Sequence, residues 1–270
     1  MLHLFGVSFV FLYIVAAALY VIGVVWRRDF LPKIARVLAL TGFLFHTLGA
    51  AIVLSTISGI SGGGDYLLWL AWVLMILFLT VELRKGTVLL GAFVVPIVAI
   101  LSTGSSLLLH HLRPVHFAPQ GKLLVLLHVA PAVVAEASLL FSGLLSMVYL
   151  IQERRIRLKK VDGLSLRGPS LESLEKHCGK MIFIGFVSMG LAIVTGAVWV
   201  LGGQLNLFLF DTRELGALLS WGLLGFLLHA RRSLAWSQRK VSRVTVFGVL
   251  VLVATLVLLG LFGVNARHGF

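Results

Sequence analysis

Hydrophobic residues along this chain come in eight long runs, and most of the charge is collected in the short segments between them. The runs are Leu4–Val25, Ile34–Leu54, Tyr66–Glu82, Val88–Leu108, Leu123–Ile151, Met181–Leu201, Leu215–Ala230 and Val244–Val264. A helix crossing a hydrocarbon core of about 30 Å needs roughly 20 mostly apolar residues, and each run is close to that length. Lipid offers no hydrogen-bond partners, so a lone spanning segment has to satisfy its own backbone as a helix. The pattern predicts an all-α polytopic membrane protein of eight transmembrane helices, a single domain over residues 1–270. No connecting segment exceeds about 30 residues, too few for a separate soluble catalytic domain.

Charge orients the helices. Of the 23 Lys and Arg residues, 19 fall on one side: Arg27, Arg28, Lys33 and Arg36, then Arg84 and Lys85, then eight from Arg154 to Lys180, then Arg231, Arg232, Arg239, Lys240 and Arg243. Arg113, Lys122, Arg213 and Arg267 are on the other. The positive-inside rule then puts both termini outside. The first run has no Lys or Arg before it and is followed at once by Trp26-Arg27-Arg28, the reverse of a signal peptide's charge order, so it reads as a retained helix. A net charge of +13 invites a nucleic-acid reading, but the basic residues sit in short loops and not along one ordered surface, so no nucleic-acid partner is expected. Composition agrees with the lipid bilayer as solvent, since 59% of residues are hydrophobic and only 12% charged. A single cysteine, Cys178, excludes an internal disulfide, a redox pair and any cysteine-rich metal site.

Two smaller features lie in or near the inner segments. Ser170 can cap a helix whose first turn carries Glu172, and Leu171, Leu174 and Cys178 recur on one face. This reads as a short interfacial helix leading into the sixth span, with a docking site for a cytoplasmic partner as the alternative. Asp65–Lys85 and Asp211–Arg231 echo one another, each an outside-to-inside span with an acid at the top and basic residues at the bottom, too weakly to count as a repeat.

Ionisable residues inside spans are costly and mostly functional, which singles out His46, His128, Glu136 and His229, with His268 just past the last span. Neutral imidazole is a common metal ligand and the usual axial ligand of haem iron. Around His46 the same helical face carries Gly42, Phe43, Gly49 and Ala50. Those small residues would admit a flat macrocycle, with Phe43 to stack on it; equally they would admit a second helix, with the histidine bonding a Ser or Thr. His229 has Gly225 and Phe226 one turn before it and Gly222 two turns before, but lies beside Arg231 and Arg232, so an interfacial role is also open. His128 is followed by Pro131, which removes a helical hydrogen bond and often marks a kink. Glu136 reads either as a proton relay or as a protonated carboxyl bonded to a serine. His110, His111 and His116 have no recognisable ligand spacing.

From Leu123 onward the chain resembles the CcsA/HemX branch of the cytochrome c assembly superfamily of membrane haem-handling proteins. The likeness rests on Leu126-Leu127-His128-Val129, Tyr149-Leu150-Ile151-Gln152-Glu153-Arg154-Arg155, Leu171-Glu172-Ser173-Leu174, Ile184-Gly185-Phe186 and Gly196-Ala197-Val198-Trp199. It continues through Asp211-Thr212-Arg213-Glu214, Ser220-Trp221, Leu228-His229-Ala230-Arg231 and Gly263-Val264-Asn265-Ala266-Arg267-His268, and more loosely through Phe45-His46-Thr47 and Trp69. The resemblance implies haem b held by His46 and His229 within the membrane and by His128 and His268 at the outer face. It implies a non-enzymatic protein of a bacterial cytoplasmic (inner) membrane that exports haem for cytochrome c assembly, with a membrane assembly partner. One departure stands out. The family's tryptophans before the acidic end of its outer loop are replaced by Phe208 and Phe210 ahead of Asp211, with Arg213 and Lys122 left for the haem propionates. That departure leans toward the HemX-type members, associated with regulation of tetrapyrrole synthesis, and makes a regulator of glutamyl-tRNA reductase the runner-up. A transporter using the histidines as a proton relay is a third reading.

The charge asymmetry is directly testable. Cysteine-labelling or reporter fusions should find both termini and the Asp211 segment outside and the Arg154–Lys180 segment inside; a C-terminus on the inner side would contradict the orientation.

Overall fold

The structure is a computed structural model, and it describes residues 2–56, 63–85, 88–109, 119–159, 169–199 and 212–261. Among them there are eight α-helices and no strand: α1 (Leu2–Val25), α2 (Leu31–Thr56), α3 (Gly63–Lys85), α4 (Val88–Leu109), α5 (Pro119–Arg157), α6 (Leu171–Trp199), α7 (Thr212–Arg232) and α8 (Gln238–Leu261). Each expected span is found as one helix. Six of them, α1 to α6, are long and apolar enough over their described residues to cross a membrane. The protein is an all-α, polytopic membrane protein.

One expectation changes at the level of a single helix. No separate interfacial helix precedes the sixth span, because α6 runs unbroken from Leu171 through the membrane-length stretch. The Ser170 cap itself forms, with the Ser173 amide donating to Ser170 Oγ at 3.2 Å. α5 is likewise unbroken through Pro131. Proline lacks the N–H that would serve the Leu127 carbonyl four residues earlier, and the Thr195 hydroxyl of α6 lies 3.4 Å from that carbonyl. Its single proton is shared with nearer acceptors in its own helix, Leu191 O at 2.8 Å and Ala192 O at 3.0 Å.

The chain divides into two compact units, Met1–His116 with Ile151–Leu174, and Phe117–Leu150 with Glu175–Phe270. In the first, α1 packs on α2, α2 on α3, α3 on α4 and α4 back on α1, an up-down-up-down bundle. Its seams are aromatic against small. α1 buries Phe9, Tyr13, Ala16, Ala17 and Tyr20 on one stripe at helical spacing, and α2 answers with Ala35, Ala39, His46 and Ala50. α1 ends at a Schellman-type turn in which Arg27 takes φ 55° and the Arg28 amide reaches Gly23 O at 3.2 Å. In the second unit, α6 lies on α5 through Gly185 against Ala135 O, α7 on α6 through Gly225 against Phe186, α8 on α7 through Gly248 against Leu223, and α8 on α5 through Val249 against Gly143. The faintly echoing segments are therefore the third helix of each unit.

Packing at these glycines yields a paired prediction. A Cβ at Gly91 of α4 would lie 2.6 Å from Tyr20 Cε1, and that ring is fully buried with its hydroxyl directed to Glu82. Gly91→Ala should therefore lower the thermal midpoint in detergent by the equivalent of about 1–3 kcal/mol of overpacking, less the roughly 1 kcal/mol alanine gains in a helix. Gly222 of α7 has nothing within 4 Å of a Cβ, so Gly222→Ala should leave the midpoint unchanged or slightly raised.

Candidate functional site

His46 lies in the interior of the first unit, 0% exposed, between α1 and α3. The Phe9 ring is stacked on the imidazole at 4.6 Å and 6°, and the Tyr13 ring meets it edge-on at 5.9 Å and 70°. Tyr13 Oη is 3.3 Å from His46 Nδ1. Nε2 is buried with no close hydrogen bond, and the Leu68 backbone of α3 acts on the ring as a hydrogen-bond partner. The small residues around His46 therefore admit a helix in this structure. A Cβ at Gly42 would stand 3.1 Å from Tyr13 Cε1, and one at Gly49 would stand 3.8 Å from Phe9 Cε1. The partner of the histidine is a tyrosine on another helix and not the Ser or Thr expected from local spacing. Phe43, the ring expected to stack on a macrocycle, stacks instead on Trp72 at 6.1 Å, while Trp72 Nε1 donates to Thr47 Oγ1 at 3.0 Å.

His128 is half-buried in the N-terminal third of α5, in the second unit. Its Nδ1 is 2.8 Å from Ala192 O on α6. A carbonyl only accepts, so Nδ1 carries the proton and, in the neutral ring, Nε2 holds the lone pair. This is the hydrogen bond that metal-binding histidines ordinarily make through their second nitrogen. Gly196 makes the arrangement possible, since a Cβ there would come within 2.9 Å of His128 Cε1. His229 is exposed in the last turn of α7, its carbonyl accepting from the Ser233 amide at 2.8 Å. Gly225 faces Phe186 of α6, and Phe186 stacks on Trp221 at 5.2 Å and 9°. His46 belongs to the first unit, and His128 and His229 to the second. Glu136 is half-buried on α5. His268, Phe208, Phe210 and Asp211 lie outside the described residues, as do His110, His111 and His116. Arg213 falls in the first turn of α7 and Lys122 in the first turn of α5. Among the described residues no three His, Cys, Asp or Glu side chains gather as a metal site.

The structure also assembles a group that spacing did not flag. Glu82 of α3 is fully buried and accepts from Arg36 of α2 through Nε at 3.1 Å and Nη2 at 2.9 Å, with Tyr20 Oη of α1 at 3.4 Å. The second unit has a counterpart, Arg231 of α7 donating to Glu175 of α6 at 3.2 Å both on its carbonyl and on its carboxylate. An available signal was the acid at position 82, which sits just before Arg84-Lys85 at the end of an otherwise apolar run.

A family model described as Cytochrome C assembly protein matches residues 64–269. The chain belongs to the cytochrome C assembly protein family. Its relatives include the cytochrome c biogenesis protein CcsA of Trieres chinensis, 24% identical over 80% of this chain and 79% of the relative. CcsA of Prochlorococcus marinus strain MIT 9313 is 27% identical over 74% of this chain and 72% of the relative. CcsA of Chlamydomonas reinhardtii is 27% identical over 47% of this chain and 35% of the relative. No solved structure matches significantly. These relatives carry the CcsA name, and none of them supports the leaning toward the HemX-type branch. Within the family match lie His128, His229, His268, Phe208, Phe210, Asp211 and Arg213; His46 precedes it.

The Gly196–His128 fit can be tested without any ligand. In Gly196→Ala the imidazole has to leave its place against α6, so proton exchange at the His128 ring carbon should quicken by mass spectrometry while exchange at His229 stays as in the parent. An unchanged His128 rate would mean that the glycine does not hold the ring.

Proposed function

We propose that this chain is a non-enzymatic haem-handling component of cytochrome c assembly in a bacterial cytoplasmic membrane, holding haem b without covalent attachment and releasing it at the outer face. The observation that carries this reading is His46: a histidine wholly buried in a membrane bundle, with Tyr13 Oη 3.3 Å from Nδ1 and no close hydrogen bond at Nε2. Burying an unpaired polar atom costs free energy, and binding a Lewis acid at Nε2 would recover it. The polytopic fold and the relatives named for cytochrome c biogenesis support the same reading.

In this proposal His46 and His229 serve the membrane site and His128 and His268 the outer one. Haem supplies the iron and a flat apolar ring with two carboxylates. His46 would offer Nε2, with Phe9 stacked on its ring and Tyr13 at Nδ1. His128 offers Nε2 because the Ala192 carbonyl claims Nδ1. Lys122 and Arg213 suit the propionates as charge-assisted partners. Phe208 and Phe210 give less area than the family's indoles and no N–H donor, which favours weaker holding at the outer site and transfer to a membrane assembly partner.

The first experiment is an absorption spectrum of the purified protein, which a proton-relay transporter would leave without haem bands. His46→Ala or His229→Ala should then cut bound haem by at least about tenfold, the order that loss of even an outer-shell partner costs a metal site. Added imidazole should restore part of the spectrum. An unchanged spectrum in the double variant would refute the membrane pair.

A further inference from the structure

We infer that the exposed seam between α6 and α7 is a binding site for an anionic glycerophospholipid, with Arg232 and Lys180 on the phosphodiester and a glycine-floored apolar strip under an acyl chain. The site stands apart from the haem reading above.

The basic ends of α6, α7 and α8 are short of negative charge. Seven Lys and Arg residues lie within 175–180 and 231–243 against one acid, Glu175, so an anion from outside the chain is favoured there. Arg231 takes Glu175, at 3.2 Å. Arg232 is placed differently: its Cζ is 5.8 Å from the centroid of the Phe183 ring on α6, and among the described residues it has no carboxylate partner. A ring holds the cation by its charge, which keeps the fork of guanidinium donors available for an oxyanion such as a phosphodiester. Lys176 and Lys180 are exposed on the same face of α6 as Phe183, seven and three residues before it.

Toward the bilayer centre the seam turns apolar. Phe183, Val187 and Val194 of α6 and Trp221 of α7 are exposed. Glycines keep the strip low, since a Cβ at Gly190 would stand 3.3 Å from Trp221 Nε1 and Gly222 has nothing within 4 Å. Phe183 and Val194 are eleven residues apart, about 16 Å along a helix. That is the hydrocarbon depth of one leaflet, half of about 30 Å. Positive charge at one end and an apolar strip of one leaflet's length match a lipid with an anionic head, and basic sites between membrane helices take such headgroups. A zwitterionic lipid brings a cation beside its phosphate, which the surrounding Lys and Arg oppose.

The test uses the full-length protein in phosphatidylcholine vesicles containing either phosphatidylglycerol or phosphatidylcholine brominated midway along the acyl chains. Bromine quenches an indole that it touches, and the share due to Trp221 is the difference between the parent and Trp221→Phe. Brominated phosphatidylglycerol should quench that share at a lower mole fraction than brominated phosphatidylcholine, by roughly fivefold for each cation on the head. Arg232→Gln and Lys180→Gln should each remove about fivefold of the preference. Arg232→Lys keeps the charge without the fork and should remove part of it, which covers the case in which Arg232→Gln does not fold. Lys240→Gln with Arg243→Gln takes two exposed charges from α8 and should leave the preference at the parent value. The parent's preference in all three variants at positions 180 and 232, or an equal fall in the α8 pair, would overturn the site in favour of general attraction by the basic ends. Relief of quenching by inorganic phosphate would also overturn it, as a site for a free anion. Quenching of Trp221 by neither lipid would mean that another chain covers the seam, and the lipid site falls.

Discussion

Close fitting of aromatic rings against glycine and alanine is the constraint on which the first unit depends. Between helices in lipid there is little hydrophobic force to gain, because acyl chains are as apolar as the side chains that would leave them, so contact area and shape decide which helices associate. α1 concentrates that constraint, with Tyr13 set against Gly42 on one side and Tyr20 against Gly91 on the other. One helix therefore bridges α2 and α4, and the same rings that fill space also carry the hydroxyls that reach His46 and Glu82. Packing and polar chemistry are not separable here.

Charge inside the bundles is handled by pairing across helices at their basic ends. A carboxylate buried without compensation costs on the order of 3 kcal/mol or more, and Glu82 avoids this by accepting two N–H groups of Arg36 and facing a phenol. Arg36 keeps 36% of its side chain exposed, so its own desolvation is incomplete and the pair is less costly than a fully buried one. The second unit repeats the device with the charges exchanged between helices, Glu175 on α6 and Arg231 on α7, and Gly179 leaves room for the guanidinium to lie over α6. Among the described residues, each unit has such a pair between its own helices.

The candidate histidines differ in what their surroundings allow. His46 is buried between the Phe9 and Tyr13 rings; His128 is oriented by a backbone carbonyl near the start of its span; His229 is exposed at a helix end. In the proposed haem reading, the buried histidine would hold the cofactor and the more exposed ones would release it.

The eight helices were legible in the sequence, because helix formation in lipid is local, as is the loop charge from which the sidedness is expected. Lipid obliges every long apolar run to close its own hydrogen bonds, and a loop's Lys and Arg can be read from the loop itself. The short-listed histidines were legible for the same reason, since an imidazole in an apolar run is conspicuous. Their partners were not. Nothing within reach of His46 along its own helix announces Tyr13, thirty-three residues earlier, and nothing near Glu82 announces Arg36. The separate helix expected after Ser170 went the other way, since α6 runs unbroken from Leu171. Which ring meets which glycine is settled only when the helices pack, because a small residue on a helix face states that something comes close and not what it is.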